Sequence, residues 1–130
     1  FKNNYVSSSS TNWSNPRIQK IKPNEMYKIY EKSLFIPIGR GFRSLDCFRL
    51  YECIVSGSIP VICGDKKEIE VSFNFNNKSP YLITAETWDQ VISKCKKIYD
   101  NKEKINEIVK FNYNWWKEQI INISNKINKL

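Results

Sequence analysis

Histidine is absent from the 130-residue chain, and the four cysteines include no CxxC pair. Structural zinc sites need closely spaced Cys and His ligands, so the sequence predicts no metal site of this kind. We expect Cys47 and Cys53, six residues apart on one predicted helix, to face different directions and to form no disulfide. We interpret all four cysteines as small core residues: Cys47, Cys53, Cys63 and Cys95.

Long apolar runs are also missing. None approaches the roughly 20 residues that a membrane-spanning helix requires, and no signal peptide is visible. At 41% hydrophobic and 14% aromatic residues, the composition excludes a disordered chain and favours one globular domain over residues 1–130.

Acidic residues are outnumbered: 21 Lys and Arg stand against 13 Asp and Glu, a formal charge of +8. Such an excess predicts an anionic partner, either nucleic acid, an acidic membrane surface or a phosphorylated small molecule. The alternative is that the excess reflects only the Lys-, Asn- and Ile-rich composition that an AT-biased genome gives. The lysines are scattered through the chain. Arginine is rare, and Arg40, Arg43 and Arg49 fall within ten residues of one another.

The order of predicted elements is helix, strand, helix, strand, strand, helix, helix, after a loop-rich entry segment at 1–22. The strands are apolar along their whole length, as in a parallel sheet covered on both faces, so we predict a Rossmann-like three-layer α/β domain. The first two predicted helices lie at 24–32, capped by Asn24, and at 45–55, capped by Ser44 or Asp46 and ended by Gly57. Two more lie within 84–130: one capped by Thr84, with apolar residues at helical spacing from Trp88 to Ile98, and one at 102–123. The predicted strands lie at 34–38, 59–63 and 81–83, and residues 66–80 are predicted to be irregular.

The stretch from residue 39 to 52 carries the chemistry, because it runs from the carboxyl end of a strand into a helix. Ligands of open parallel sheets bind at that edge, and a helix N-terminus offers unpaired N–H groups. Glycines let the backbone approach a ligand, and arginines add charge-assisted hydrogen bonds. We therefore predict a phosphate or diphosphate site formed by Arg40, Gly41, Arg43, Ser44 and Arg49.

The predicted core face of this helix carries Cys47, Leu50, Tyr51 and Ile54, and the opposite face carries Leu45, Arg49, Glu52 and Ser56. Glu52 could accept two hydrogen bonds from a ribose diol, and Arg49 could meet a phosphate. The alternative is an ordinary i,i+3 ion pair between the two side chains, which has no role in binding.

A family resemblance bears on this choice. The run SLFIPIGRG at 33–41, then LDCFRLYE at 45–52 and GSIPVI at 57–62, resembles the exostosin family of glycosyltransferases. That family carries a strand with an Arg-Gly loop, an Asp/Ser-Phe-Arg-x-x-Glu helix and a Gly-x-Ile-Pro-Val strand. The similarity covers residues 33–65.

The resemblance implies one half of a GT-B glycosyltransferase, the half that holds the nucleotide-sugar, with a UDP-sugar as the expected donor. It implies inverting, metal-independent transfer to a glycan or glycoprotein acceptor, with Arg49 and Glu52 as the family's Arg-x-x-Glu pair and Arg40 and Gly41 as its Arg-Gly loop. The catalytic base, the other half and any membrane anchor are expected outside this segment, and a Golgi or other secretory lumen is the implied compartment.

The sequence departs from the family after residue 65, where a Lys/Asn-rich stretch replaces the usual Leu-Pro-Phe. Asp65, at the end of a predicted strand, is either a turn residue or a sugar contact. Retaining enzymes of this architecture carry a second Glu eight residues after the first, but here that position is Pro60, which argues against the retaining class. No Asp-x-Asp is present, which disfavours the metal-dependent single-domain glycosyltransferases.

We interpret Trp88 and the Trp115-Trp116 pair as core aromatics, and Lys94, Lys96 and Lys97 as a solvated helix face.

Two other functions compete with transfer of a sugar. A basic α/β module that binds nucleic acid would carry Lys and Arg along one exposed stripe with interleaved aromatics. A non-catalytic binding or scaffolding domain could share the same fold, and the residues of the motif alone do not separate it from an enzyme.

Overall fold

A parallel sheet of three short strands lies at the centre of the computed structural model, which describes residues 21–40, 45, 47–73 and 78–129. The strands are neighbours in the order β1-β2-β3, with Phe35 opposite Ile59 and Val61 opposite Ile83. The elements of the described residues are α1 (Pro23–Glu31), β1 (Phe35–Pro37), α2 (Phe48–Val55), β2 (Ile59–Cys63), α3 (Lys66–Phe73), β3 (Ile83–Ala85), α4 (Trp88–Tyr99) and α5 (Lys102–Ile127). The predicted α/β class and parallel sheet are confirmed.

The sheet is buried on both faces, as its uninterrupted apolar strands predict. Alternate residues of β2 enter two separate apolar clusters: Ile62 packs with Leu50 and Ile54 of α2, whereas Ile59 and Val61 pack on the side of α4. Helix α5 contributes to both clusters, through Trp115 and Ile108 respectively.

Helix α5 lies at the edge of the sheet where the strands begin. The side chain of Asn112, 1% exposed, accepts a hydrogen bond from the Tyr81 N–H (2.7 Å) and donates one to the Tyr81 carbonyl (3.0 Å), just ahead of β3. Val109 lies 3.9 Å from where a Cβ on Gly57 would be, just ahead of β2. These contacts of α5 are therefore at the edge opposite to the one where the strands end.

Helix α2 ends as predicted. Gly57 adopts φ +78°, the left-handed conformation that glycine takes at little cost. Its N–H bonds to the Ile54 carbonyl and the Ser58 N–H bonds to the Cys53 carbonyl, each at 3.1 Å, which is the Schellman pattern of helix termination.

Several predicted boundaries are wrong. Helix α1 begins at Pro23, which suits a first helical position, with Lys22 and not Asn24 as the N-cap. Helix α2 begins at Phe48 with Cys47 as N-cap, and the proposed caps Ser44 and Asp46 lie outside the described residues. Leu45, predicted on the helix face opposite the core, instead precedes the helix and is buried. Helix α5 runs four residues beyond the predicted end.

The largest error is α3, placed where an irregular segment was predicted. Asp65 caps this helix: its Oδ1 accepts hydrogen bonds from the Lys67 N–H (2.9 Å) and the Glu68 N–H (3.1 Å). Phe73, 3% exposed, ties the helix to the core. The sequence does contain a signal for a helix N-terminus, an Asp followed three residues later by a Glu, but it lies in a stretch so rich in Lys and Asn that a loop was predicted.

The third strand and its following helix are also shifted. Strand β3 covers 83–85 and not 81–83, because the backbone of Tyr81 bonds to Asn112. Thr87, not Thr84, caps α4 by accepting a hydrogen bond from the Gln90 N–H. Trp88, predicted to be core, is 48% exposed.

The other side-chain predictions divide. All four cysteines are free thiols, but only Cys53 and Cys95 are buried; Cys47 and Cys63 are half-buried. Trp115 is buried, and the Trp116 ring packs 5.4 Å from that of Tyr51, so the predicted packing of this pair is confirmed. The three lysines of α4 named above are exposed. Across the described ranges, no helix combines the length and apolarity needed to cross a membrane.

Candidate functional site

The carboxyl ends of β1 and β2 bring three of the predicted site residues, Arg40, Arg49 and Asp65, to one edge of the sheet. Gly39 and Arg40 follow β1, Asp65 follows β2, and α2 begins beside them. The Cys47 thiol donates a 3.2 Å hydrogen bond to the Gly39 carbonyl, which fixes the first residue of the α2 terminus against the end of β1. This edge is where parallel sheets bind ligands.

The N-terminus of α2 is the electropositive part of this edge. Cys47, its N-cap residue, has an extended backbone and makes no side-chain capping hydrogen bond, and the first turn contains no acidic residue. Arg49 lies in that turn. The partial positive charge of the helix end and a guanidinium cation therefore lie together, an arrangement that favours an anion.

Arg49 reaches from α2 back over the end of β1. Its Nη1 lies 3.9 Å from the point where a Cβ on Gly39 would stand, so the guanidinium rests directly above a residue without a side chain. The side chain is exposed to solvent. Arg49 thus lies close to the backbone at the end of β1 and is accessible to solvent.

Glu52 lies one turn along α2 and is half-buried. Among the described residues, the ion pairs join Arg40 to Glu68, Lys78 to Glu118 and Lys104 to Glu107. Arg49 and Glu52 form none with each other, so the interpretation of these two residues as an ordinary i,i+3 ion pair is wrong.

Tyr30, at the end of α1, is a neighbour of this pair that the sequence did not single out. Burial raises the pKa of its phenol; the Arg49 guanidinium opposes that shift, and the Glu52 carboxylate adds to it. The Tyr30 phenol, Arg49 and Glu52 therefore interact electrostatically. The sequence does not indicate this role, because Tyr30 is simply one aromatic residue on a short amphipathic helix.

Arg40 is not free in the ligand-free chain. Its Nη1 donates to Glu68 Oε2 at 3.0 Å, and its Nη2 pairs with Glu68 Oε1 at 2.5 Å, a bidentate ion pair across 28 residues of sequence. The sequence offered no way to find this partner, because residues 66–80 were not expected to form a helix.

Leu45 closes the space between the β1–α2 segment and the end of β2. It is 4% exposed, and its Cδ1 lies 2.9 Å from where a Cβ on Gly64 would be. Gly64 therefore allows a close approach that no larger residue would permit without movement. Ile69 of α3 borders the same point at 3.8 Å.

Three of the predicted site residues, Gly41, Arg43 and Ser44, lie outside the described residues. Of the remainder, Arg40 and Arg49 lie near the β1 end of the edge, and Glu52 lies one turn further along α2. Asp65 uses one carboxylate oxygen to cap α3 and remains exposed. No group of three or more Cys, Asp or Glu side chains in the described ranges is arranged to hold a metal ion.

The described part of this edge supplies arginine cations, helix-end amides and the carboxylates of Glu52, Asp65 and Glu68, of which Glu68 is paired with Arg40. Such a set can bind an anion and orient a diol beside it, but it contains no evident base placed to deprotonate an acceptor. Compared with protein-family models, with curated proteins and with solved structures, the chain matches none.

Proposed function

We propose that this domain binds a nucleotide-sugar, with a UDP-sugar as donor, at the carboxyl edge of its sheet. The observation that carries the proposal is the position of Arg49 over Gly39, beside the N-terminus of α2. The N-cap residue of that helix makes no side-chain capping hydrogen bond, and Arg49 forms no ion pair with Glu52. The fit of residues 33–65 to the exostosin pattern supports it.

In this proposal each side chain has a separate task. Arg49, with the first amides of α2, receives the diphosphate, because a planar guanidinium and helix-end N–H groups suit phosphate oxygens. Arg40, Gly41, Arg43 and Ser44 complete the phosphate contacts. Glu52 accepts hydrogen bonds from the ribose hydroxyls. Asp65 lies at the β2 end of the same edge, within the segment where the sugar would lie.

The proposed reaction is inverting transfer of the sugar to a glycan acceptor. An acceptor hydroxyl attacks the anomeric carbon, a base takes its proton, and the bond from that carbon to the diphosphate oxygen breaks. The fixed arginines and helix-end amides stabilise the negative charge that develops on the leaving diphosphate, which is the task that a metal ion performs in other transferases. The base, and the acceptor site, belong to the second Rossmann-like half of a GT-B enzyme.

The test is a calorimetric titration with UDP of the wild-type domain and of Glu52→Gln. Glutamine keeps the shape of the side chain but replaces one acceptor oxygen with a donor. A hydrogen bond to a charged group contributes about 1.5–3 kcal/mol, so UDP should bind about 10- to 100-fold more weakly. An unchanged affinity in a folded Glu52→Gln protein would reject the ribose contact.

A second titration separates a built diphosphate site from general attraction by the +8 charge. Arg49→Lys keeps the charge but loses the planar pair of donors, and we expect UDP affinity to fall about tenfold. Lys110→Gln, which removes one exposed charge from α5, is the matched control and should leave UDP affinity unchanged.

Salt and RNA complete that comparison. Binding of a polyanion falls steeply with salt through counterion release, whereas a small diphosphate in a partly shielded site responds less. If Arg49→Lys is silent, the salt slope is steep and RNA displaces UDP, the domain is a basic nucleic-acid-binding module and the proposed transferase is wrong.

A further inference from the structure

The ion pair between Arg40 and Glu68 joins two parts of the predicted binding edge. Arg40 lies three residues past the end of β1, and Glu68 lies in the first turn of α3, immediately after β2. The pair therefore crosses from the carboxyl end of one strand to that of its neighbour. Glu68 belongs to the helix that the sequence did not predict, and no role follows for it from the motif.

The geometry of the pair is that of an arginine bound to a two-oxygen anion. Each terminal nitrogen of Arg40 meets a different oxygen of Glu68, at 3.0 and 2.5 Å. A phosphate offers two oxygens at a similar spacing, and arginine binds carboxylates and phosphates with the same pair of donors. Glu68 thus occupies the donors of Arg40 that a diphosphate would use.

The start of α3, which carries Glu68, is fixed by packing and by its cap. Leu45, from the β1–α2 segment, is buried against Gly64 and borders Ile69 on α3. Asp65 caps α3 through two backbone N–H groups, which fixes the first turn that carries Glu68. The backbone that carries Glu68 is consequently fixed by contacts that do not involve Arg40.

The two partners differ in their access to solvent. The Arg40 side chain is 60% exposed and that of Glu68 is 29% exposed. The Arg40 guanidinium is therefore accessible to an anion from solvent, and a rotation of its side chain would exchange the Glu68 carboxylate for that anion. A pair this exposed is weak, so the exchange is accessible.

We infer that Glu68 is an internal competitor of the diphosphate: it holds Arg40 in the ligand-free domain and lowers the affinity for any ligand that uses Arg40. The inference rests on the proposed function, since it needs an anion to arrive at this edge. It assigns a specificity role to α3, because a ligand must supply enough negative charge to displace Glu68.

The experiment compares the affinity for UDP of the wild-type domain, Glu68→Gln, Arg40→Gln and the double variant, by calorimetry at low salt. Removing the competing charge should tighten UDP binding about two- to fivefold, the range expected for an exposed ion pair. In the Arg40→Gln background the same change should have no effect. Glu70→Gln removes an equal charge from the exposed face of α3 and should change the affinity by less than the Glu68 variant does. Unchanged thermal midpoints show that the variants are folded.

The outcomes separate the two proposals. If the wild type binds UDP and Glu68→Gln binds it equally or more weakly, Glu68 is not a competitor. The same holds if Glu68→Gln raises UDP affinity equally in the Arg40→Gln background, because the effect would then be general electrostatics. Absence of UDP binding in both wild type and Glu68→Gln overturns the proposed function, and the competitor with it. A gain in Glu68→Gln that disappears without Arg40 supports the competitor even if Glu52→Gln proves silent.

Discussion

Gly64 is the position where the structure makes its most demanding prediction about packing. A Cβ there would stand 2.9 Å from Leu45 Cδ1, closer than real side chains approach one another, and Leu45 is only 4% exposed and has little room to move. Overpacking of a core costs about 1–3 kcal/mol, against a gain of about 0.4–1 kcal/mol from the reduced freedom of the unfolded chain. We expect Gly64→Ala to lower the free energy of unfolding by about 1–2 kcal/mol, measured by urea denaturation.

Two other glycines provide matched controls. At Gly39 a Cβ would meet its nearest neighbour, Arg49 Nη1, at an ordinary 3.9 Å, so Gly39→Ala should be neutral or stabilise the domain by about 0.4–1 kcal/mol. At Gly57 the space is similar but φ is +78°, so Gly57→Ala should cost about 1 kcal/mol through backbone strain alone.

A double-mutant cycle identifies the clash. Leu45→Val removes the terminal methyl group nearest to Gly64, so Gly64→Ala should be less harmful in that background, with a coupling of at least about 0.5 kcal/mol. The strain at Gly57 should show no such coupling. If Gly64→Ala is as mild as Gly39→Ala, or if Leu45→Val does not relieve it, the packing of Leu45 against the end of β2 is wrong.

Three further predictions use simpler perturbations. A thiol reagent applied to the native protein should modify half-buried Cys47 and Cys63 but reach Cys53 and Cys95 only after unfolding, as followed by mass spectrometry of the peptides; equal labelling of all four would contradict the burial. Burial raises the pKa of the Cys53 thiol, so the folded protein keeps this proton at a pH where the unfolded chain, with a thiol pKa of about 8.5, loses it. The free energy of unfolding should therefore fall as the pH rises above about 8.5, by up to about 1.4 kcal/mol per pH unit; urea denaturation between pH 8 and 10 should show this slope, and Cys53→Ala should reduce it. Asp65→Ala should destabilise the domain by about 0.5–2 kcal/mol through loss of the α3 cap; if the variant binds a UDP-sugar as tightly as the wild type does, Asp65 is a turn residue and not a sugar contact.

The parts of the fold that the sequence predicts are those decided by local signals. The strand at 59–63 is bounded by Gly57 and Gly64 and is apolar throughout, and the structure places β2 at those residues. Termination of α2 at Gly57 follows from the conformational freedom of one residue. Both features need no knowledge of distant contacts.

The errors come from contacts between distant residues. Tyr81 reads as the start of a strand, yet its N–H and carbonyl bond to Asn112, 31 residues away, and the strand begins later. Helix α3 gains from Phe73 in the core, and no pattern within a Lys/Asn-rich stretch measures that gain. At the site, the Arg49 and Glu52 positions follow from helical periodicity, whereas the bond from Arg40 to Glu68 depends on the crossover from β1 through α2 to β2 and on the unpredicted helix α3.

The bond between Asn112 and Tyr81 also decides how the domain can open. An amide proton held by the side chain of a distant helix can exchange with solvent only when that helix moves away. The Tyr81 proton is therefore a reporter of α5 docking, and its exchange rate gives the free energy for separating α5 from the sheet. If that rate equals the rate for the β2 amides, the long helix and the sheet unfold as one cooperative unit; if it is faster, α5 detaches first while the edge that carries Arg49 stays folded.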